Sequence, residues 1–262
     1  MTNPFTPGPL VEISYDETIA SAYDEAQPTS RETLGLWIER FKYHAGDKRP
    51  QAVLDLGCGT GKFAPALADT FGGPVFAIEP SVHMRAIAER LRPHPKVSYY
   101  DGSAERIPLP DDSCDLVLMF QVLQHIADRE AAAMEIARVL RPGGHLLIKS
   151  RFVGEPTPRA WARYFPRAYD LEERSLLSVG ETAEMFAPAS LKFISLDRVR
   201  TNLCESFRSY LDRIRLRAIS SFRDLTEEEF AAGIASMEAD AAQEITPQPI
   251  FEDSDLMAFV YP

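Results

Sequence analysis

Cysteine is scarce: Cys58, Cys114 and Cys204 are the only three in 262 residues. They lie far apart, with no C-x-x-C pair and no neighbouring Cys/His cluster, so neither disulfides nor a zinc site, nor any other metal, is expected. Positive charge is also in deficit, with 28 Lys and Arg against 39 Asp and Glu and a net charge of −11. That field repels a phosphate backbone at long range, which disfavours nucleic acid as a partner. No stretch approaches the roughly eighteen apolar residues that cross a bilayer, and the opening M-T-N-P-F-T-P-G-P-L has no basic segment ahead of an apolar core. A soluble, cytosolic chain without a membrane partner is therefore expected, either one enlarged domain or one domain with a cap.

Against these absences stands one dense signal. The run V-L-D-L from Val53 to Leu56 has the bulk of a strand buried on both faces, and Gly57, Gly59 and Gly61 follow it at once. Glycine reaches left-handed backbone angles and lets a ligand lie against the main chain. Beyond it, Phe63, Ala66, Leu67 and Phe71 recur at helical spacing. The turn is not a Walker loop, because no G-K-[ST] follows, and Lys62 departs from the G-x-G-x-x-G of dinucleotide enzymes. A second apolar run, P-V-F-A-I-E, ends on Glu79, 22 residues beyond Gly57. In a doubly wound sheet that place belongs to an acid whose two oxygens accept from a ribose diol. Glu79 thus points to an adenosine ligand, with Ser81 as the N-cap of the next helix.

The stretch D-L-G-C-G-T-G-K-F resembles the first motif of class I S-adenosylmethionine (SAM) dependent methyltransferases. G-S-A-E-R-I-P-L-P-D-D-S-C-D-L-V is similar to that family's G-D-A-E-x-L-P-F-P-D-x-S-F-D-L-V, and R-V-L-R-P-G-G matches it too. The resemblance, to the small-molecule Methyltransferase-11-like type, implies SAM as cofactor, held by Asp55, Gly57, Cys58, Gly59, Thr60, Glu79, Pro80 and Met84. Met84 would lean toward the adenine. Ser103 stands where the family has Asp, so adenine recognition passes to its hydroxyl or to the backbone of Ala104. Phe120 and Gln121 end the fourth strand beside the switch point and should border the methionine end.

Five strands alternating with helices make a doubly wound α/β core. The resemblance extends this to a Rossmann-like, seven-stranded, mostly parallel sheet with an antiparallel last strand and a helical cap. Residues 1–50 are expected to form an N-terminal helical lid, 51–150 the SAM-binding core, 151–250 a cap with insertions, the sixth strand and the substrate pocket, and 251–262 the last strand. In the first part, Tyr15 and Tyr23 each precede an Asp and lie eight apart. Related methyltransferases have a Y-D element over the SAM pocket; ordinary amphipathic packing explains the spacing equally. Thr29 and Glu32 make a possible capping box ahead of the stripe Leu34, Trp37, Ile38 and Phe41. In the core, strands are expected at 97–101 and 115–120, Asp128 caps a helix, and R-P-G-G turns into the strand H-L-L-I-K. The cap begins with Phe152, Trp161, Tyr164, Phe165 and Tyr169. It continues with two helices over 203–245, the first presenting Phe207, Tyr210, Leu211, Ile214 and Ala218. Arg208, Arg213, Arg215 and Arg217 either hold an anionic substrate or pair with nearby acids on a solvated face.

The implied activity is SAM-dependent methyl transfer to an O, N or C atom of a small molecule, such as a natural-product intermediate. The alternative is a SAM-binding protein of the same fold that catalyses a non-methylating reaction or uses SAM structurally. His125, one turn past the fourth strand, and Tyr15 or Tyr23 are the candidate proton handlers. A structural His125 is the competing reading. Monomer and homodimer are both compatible with the sequence.

Overall fold

The computed structural model describes residue 24 and residues 29–47, 51–153 and 159–262. Tyr15 and Tyr23, with most of the expected lid, lie outside the described residues. Seven strands form one sheet in the order β3-β2-β1-β4-β5-β7-β6. They are β1 (Gln51–Leu56), β2 (Gly72–Ile78), β3 (Val97–Tyr100), β4 (Cys114–Phe120), β5 (Leu140–Ser150), β6 (Lys192–Cys204) and β7 (Ile250–Val260). The first five pair in parallel, and β7 runs antiparallel to both β5 and β6. This is the doubly wound, Rossmann-like sheet expected. Its strand order reverses between β1 and β4, which opens a crevice at their carboxyl ends.

All six residues of β1 are buried. Leu54 and Leu56 pack with Ile136, Ile148 and Phe186 on one face, while Val53 packs with Trp37, Phe41, Phe63 and Phe71 on the other. The second face is covered by α1 (Arg31–Ala45) and α2 (Ala64–Phe71). The N-cap of α1 is Ser30, whose hydroxyl accepts from the Thr33 N–H at 3.0 Å. It displaces the expected Thr29–Glu32 box by one residue. The helix α3 (Val82–Leu91) is capped by Ser81 and α4 (Arg129–Val139) by Asp128, as expected.

R-P-G-G proves to be a bulged entry into β5 rather than a free turn. Leu140 pairs with Cys114, the register then shifts, and His145 pairs with Leu116. Gly143, at φ +80°, donates its N–H to the Tyr261 carbonyl at 2.8 Å, tying the bulge to the end of β7.

The last two strands overrun the rest of the sheet. Pairing of β5 with β7 ends at Ser150 and Asp255, but β6 and β7 continue together from Val199 and Ser254 to Cys204 and Ile250. This two-stranded arm carries a helical layer of α5 (Pro166–Ser175), α7 (Phe207–Arg215), a short 3-10 turn (Ser220–Asp224) and α8 (Glu227–Ala242); α6 (Val179–Phe186) packs on the sheet instead. That layer has its own core around Trp161, Phe165, Phe222 and Met237. Because α7 ends at Arg215, Ala218 falls beyond the helix face to which it was expected to belong. Arg151 is only 4% exposed and bridges Glu172 at 2.9 Å, while Arg159 bridges Glu172 at 3.0 Å and also contacts Glu252 on β7.

Candidate functional site

The three glycines after β1 all adopt left-handed angles, with φ of +71°, +57° and +75° at Gly57, Gly59 and Gly61. Their surroundings separate their roles. A Cβ on Gly57 would lie 2.5 Å from Val122, and one on Gly61 would lie 2.7 Å from the Tyr99 hydroxyl. A Cβ on Gly59 would meet only the Met84 methyl, at 3.6 Å. Gly57 and Gly61 are therefore needed for close packing, whereas Gly59 faces open space above Met84. The Gly57 and Cys58 N–H groups donate to the Ile78 carbonyl at 2.8 and 3.0 Å, which folds the turn back onto the end of β2.

Glu79 holds the turn from that side. Its carboxylate is 7% exposed and accepts from the Gly59 N–H and the Ser81 N–H, each at 2.9 Å. Burial pushes the carboxyl up, and the two N–H groups draw it back. Each oxygen has one lone pair engaged by the backbone, so one on each stays available for a diol. Pro80, next in line, is exposed. Arg85 donates to the Glu79 carbonyl at 2.6 Å and to Asp101 at 3.0 Å, which ties the ends of β2 and β3 together.

Asp55 is 3% exposed, and among the described residues its Oδ2 has no hydrogen-bond partner. Burial first, and then the Glu79 charge, pushes its carboxyl up to about 7. An acid left unpaired under a glycine turn fits a cationic ligand group. The Cys58 thiol is pushed well up by burial and by the Asp55 and Glu79 charges, so it stays protonated.

Asp24 reaches the turn from the N-terminal side. It accepts from the Thr60 hydroxyl at 2.5 Å and from Arg92 at 2.5 Å, with Lys62 at 3.4 Å. Burial opposes its ionisation, but Thr60, Lys62 and Arg92 outweigh that and hold the carboxyl below its usual range. In the second Y-D pair it is thus the aspartate that meets the glycine turn.

At the end of β3, Ser103 and Arg106 exchange backbone hydrogen bonds of 3.3 and 3.2 Å, which closes a tight turn over the buried Ala104. Glu105 then accepts from the Ala127 N–H at 3.0 Å and anchors the segment that enters α4.

At the end of β4, Phe120 lies 4.3 Å from Phe63 and edge-on to Trp37 at 5.4 Å, centroid to centroid. Gln121 has φ +62°, a strained angle for a side chain, and such strain gathers at ligand clefts. His125 closes a 3-10 turn (Leu123–His125), with its Nε2 3.3 Å from the Gln124 amide. Burial, and then the Arg223 charge, pushes the imidazole down to about 4, so it is neutral at physiological pH.

A further residue, Lys149, stands beside Phe120 without a motif to mark it in the sequence. Lys149 pairs with Phe120 across β4 and β5, and its Nζ lies 4.6 Å from the Phe120 ring centroid and 5.8 Å from that of Trp37. Burial, and then the Arg159 charge, pushes the amine down to about 7. The helical layer therefore bears on the cleft: Arg159 acts on Lys149, Arg223 on His125, and Arg213 on Lys62. Two of the four arginines picked out by sequence turn outward, with Arg215 on Asp212 and Glu238 and Arg217 on Glu227.

Residues 54–148 match the model of the Methyltransferase domain family. The chain is 32% identical over 187 residues to the O-methyltransferase resE of Aspergillus sclerotiorum, covering 67% of this chain and 69% of that protein. It is 29% identical over 225 residues to the O-methyltransferase cnsE of Penicillium expansum, covering 78% and 80%. Among solved structures, phosphoethanolamine N-methyltransferase 2 of Haemonchus contortus in complex with S-adenosyl-L-methionine superposes with a TM-score of 0.61 at 23% identity, covering 95% of this chain and 58% of that one. The [4+2]-cyclase SpnF gives 0.62 at 19%, covering 90% and 85%. The glycine turn and the acid that closes it agree with these similarities: this chain belongs to the class I SAM-dependent methyltransferases, with SAM as its cofactor.

Proposed function

We propose that this methyltransferase acts on a hydroxyl oxygen of a small, natural-product-like molecule in the cytosol. Two relatives of this chain are named O-methyltransferases, and that similarity carries the reading. Two features of the cleft support it. The half-buried Phe120 ring stands at the end of β4, backed by the buried Trp37 and Phe63, and the Lys149 nitrogen lies over it, although the chain as a whole carries −11. A flat, weakly acidic hydroxyl compound suits such walls, and a polyanionic nucleic acid is disfavoured by the overall charge. Among the described residues, no helix is long and apolar enough to cross a membrane.

When bound, SAM supplies an electrophilic methyl group on a sulfonium, so the residues of this chain chiefly have to hold, orient and desolvate. In this reading Glu79 takes the ribose diol and Asp55 the cationic end. Gly59 and Met84 form the surface under the ligand, Ser103 and Ala104 meet the adenine, and Phe120 with Gln121 borders the methionine end. His125, held neutral by burial, and Tyr15 and Tyr23 are the proposed polar groups around the acceptor.

Incubation with methyl-labelled SAM and a panel of phenols, enols, carboxylic acids and amines tests the reading. Label recovered in an ether or ester is the expected result. Label only on nitrogen or carbon, or no transfer with SAM demonstrably bound, overturns it; the last outcome would favour a non-methylating reaction.

A further inference from the structure

The C-terminal edges of β1, β4 and β5 present a row on one face of the sheet. Asp55, Phe120 and Lys149 share the side on which Val53, Leu118 and Leu147 pack against α1 and α2. Asp55 is level with Leu118 and Leu147, so Lys149 stands two strands across and two residues further toward the carboxyl ends, with Phe120 on the strand between them. Lys149, Phe120 and Gln121 are half-buried, while the strand residues before them are buried, so they stand at the carboxyl ends of the strands beside the switch point. The Lys149 nitrogen lies over two aromatic rings, and among the described residues no carboxylate pairs with it. Arg159 is the charged group that bears on it.

A lysine in such a place costs desolvation energy that no internal partner returns. We infer that Lys149 is a catalytic residue that binds the acidic hydroxyl of the acceptor and takes its proton, holding the oxygen as an anion beside the Phe120 ring. In that step the O–H bond breaks and an N–H bond forms. The electron pair stays on oxygen, and the product is an ammonium–oxyanion pair. The lowered basicity of the amine agrees with this, since a substantial fraction is neutral and ready to accept near pH 7. Arg159 is itself paired with Glu172 and Glu252, so the charge that holds the incoming anion is that of Lys149.

The inference deepens the O-methylation reading and is testable without methyl transfer. Para-nitrophenol, whose anion absorbs in the visible, is titrated into the full-length protein loaded with S-adenosylhomocysteine, at a pH where the free dye is mostly neutral. Wild-type protein is expected to bind it as the anion, and binding should raise the titration midpoint of one NMR-observed side-chain amine that is absent from Lys149→Met. In Lys149→Met the anion signal is expected to vanish, with S-adenosylhomocysteine affinity unchanged by calorimetry. Lys149→Arg, which keeps the cation, is expected to restore it in part. Equal dye spectra in wild type and Lys149→Met, absence of dye binding, or an amine titration unmoved by dye overturns the inference. Dye ionised at Lys149 together with label found only on nitrogen or carbon would instead overturn the O-methylation reading and leave the Lys149 site standing.

Discussion

The Glu79 carboxylate accepts the Gly59 N–H at 2.9 Å, so the acid at the end of β2 and the middle of the glycine turn after β1 form one rigid unit. The same carboxylate accepts the Ser81 N–H that starts α3. Two strand ends and a helix start are thereby fixed around the open space above Gly59. A ligand entering there meets a preorganised surface and need not order it.

Gly57→Ala should destabilise the protein more than Gly143→Ala. Both positions have φ above +70°, but a Cβ at Gly57 meets Val122 at 2.5 Å, while one at Gly143 meets nothing within 4 Å. The left-handed angle alone costs about 1–2 kcal/mol. Thermal unfolding should therefore drop by roughly 2–8 °C for Gly143→Ala, and further for Gly57→Ala. Equal shifts would show that Val122 yields without cost.

Asp55 makes the unliganded protein less stable as pH rises. Its folded carboxyl is raised to about 7, above the unfolded value near 3.9, so its contribution is fully present below that lower value and is lost as pH climbs through the upper one. Asp55→Asn removes the effect. Its melting temperature should exceed that of the wild type at about pH 8 and converge with it near pH 4. SAM is a cation at its sulfonium, so wild-type affinity for it should rise with pH through about 7 and stay flat in Asp55→Asn. A wild-type affinity that does not change across that window would remove Asp55 from the site.

Asp24 works in the opposite sense. Its carboxyl is held below its usual value, so the stability it contributes is present above the unfolded pKa near 3.9 and disappears as pH falls through the lower, folded one. Asp24→Asn loses the charged partner of Lys62 and Arg92 at a cost of about 1 kcal/mol, or roughly 2–4 °C at neutral pH. The difference from wild type should narrow as pH falls below about 3.9 and through the lower, folded value. A gap that persists there would mean the contact is made by shape and not by charge.

Much of the cofactor side was legible because its determinants are local. Strand, glycine spacing and an acid at the end of the next strand lie within about thirty residues, and each carries its own backbone or hydrogen-bonding requirement. Ser81 and Asp128 were readable as caps for the same reason. Lys149 was not, because at the end of H-L-L-I-K a lysine reads as a solvated strand terminus. Its burial comes from the register with Phe120 and from Trp37 on a helix far upstream. The R-P-G-G bulge and the arm formed by β6 and β7 depend on pairing between distant segments, which periodicity within one segment does not report. Arg213 and Arg215 look alike in sequence. Yet Arg213 turns to the Leu203 carbonyl and acts on Lys62, while Arg215 faces exposed acids, a distinction made by the packing of α7 on the cap.

In the proposed function Glu79 and the Gly59 turn hold SAM. Calorimetric titration of SAM into the wild type and into Glu79→Gln tests it directly. An amide cannot accept from two N–H groups and a diol together, and losing charge-assisted hydrogen bonds of about 1.5–3 kcal/mol should weaken binding at least about tenfold. Saturable one-to-one binding to the wild type with that loss in the variant is the predicted result. No binding to the wild type, or equal affinity in both proteins, would contradict the account.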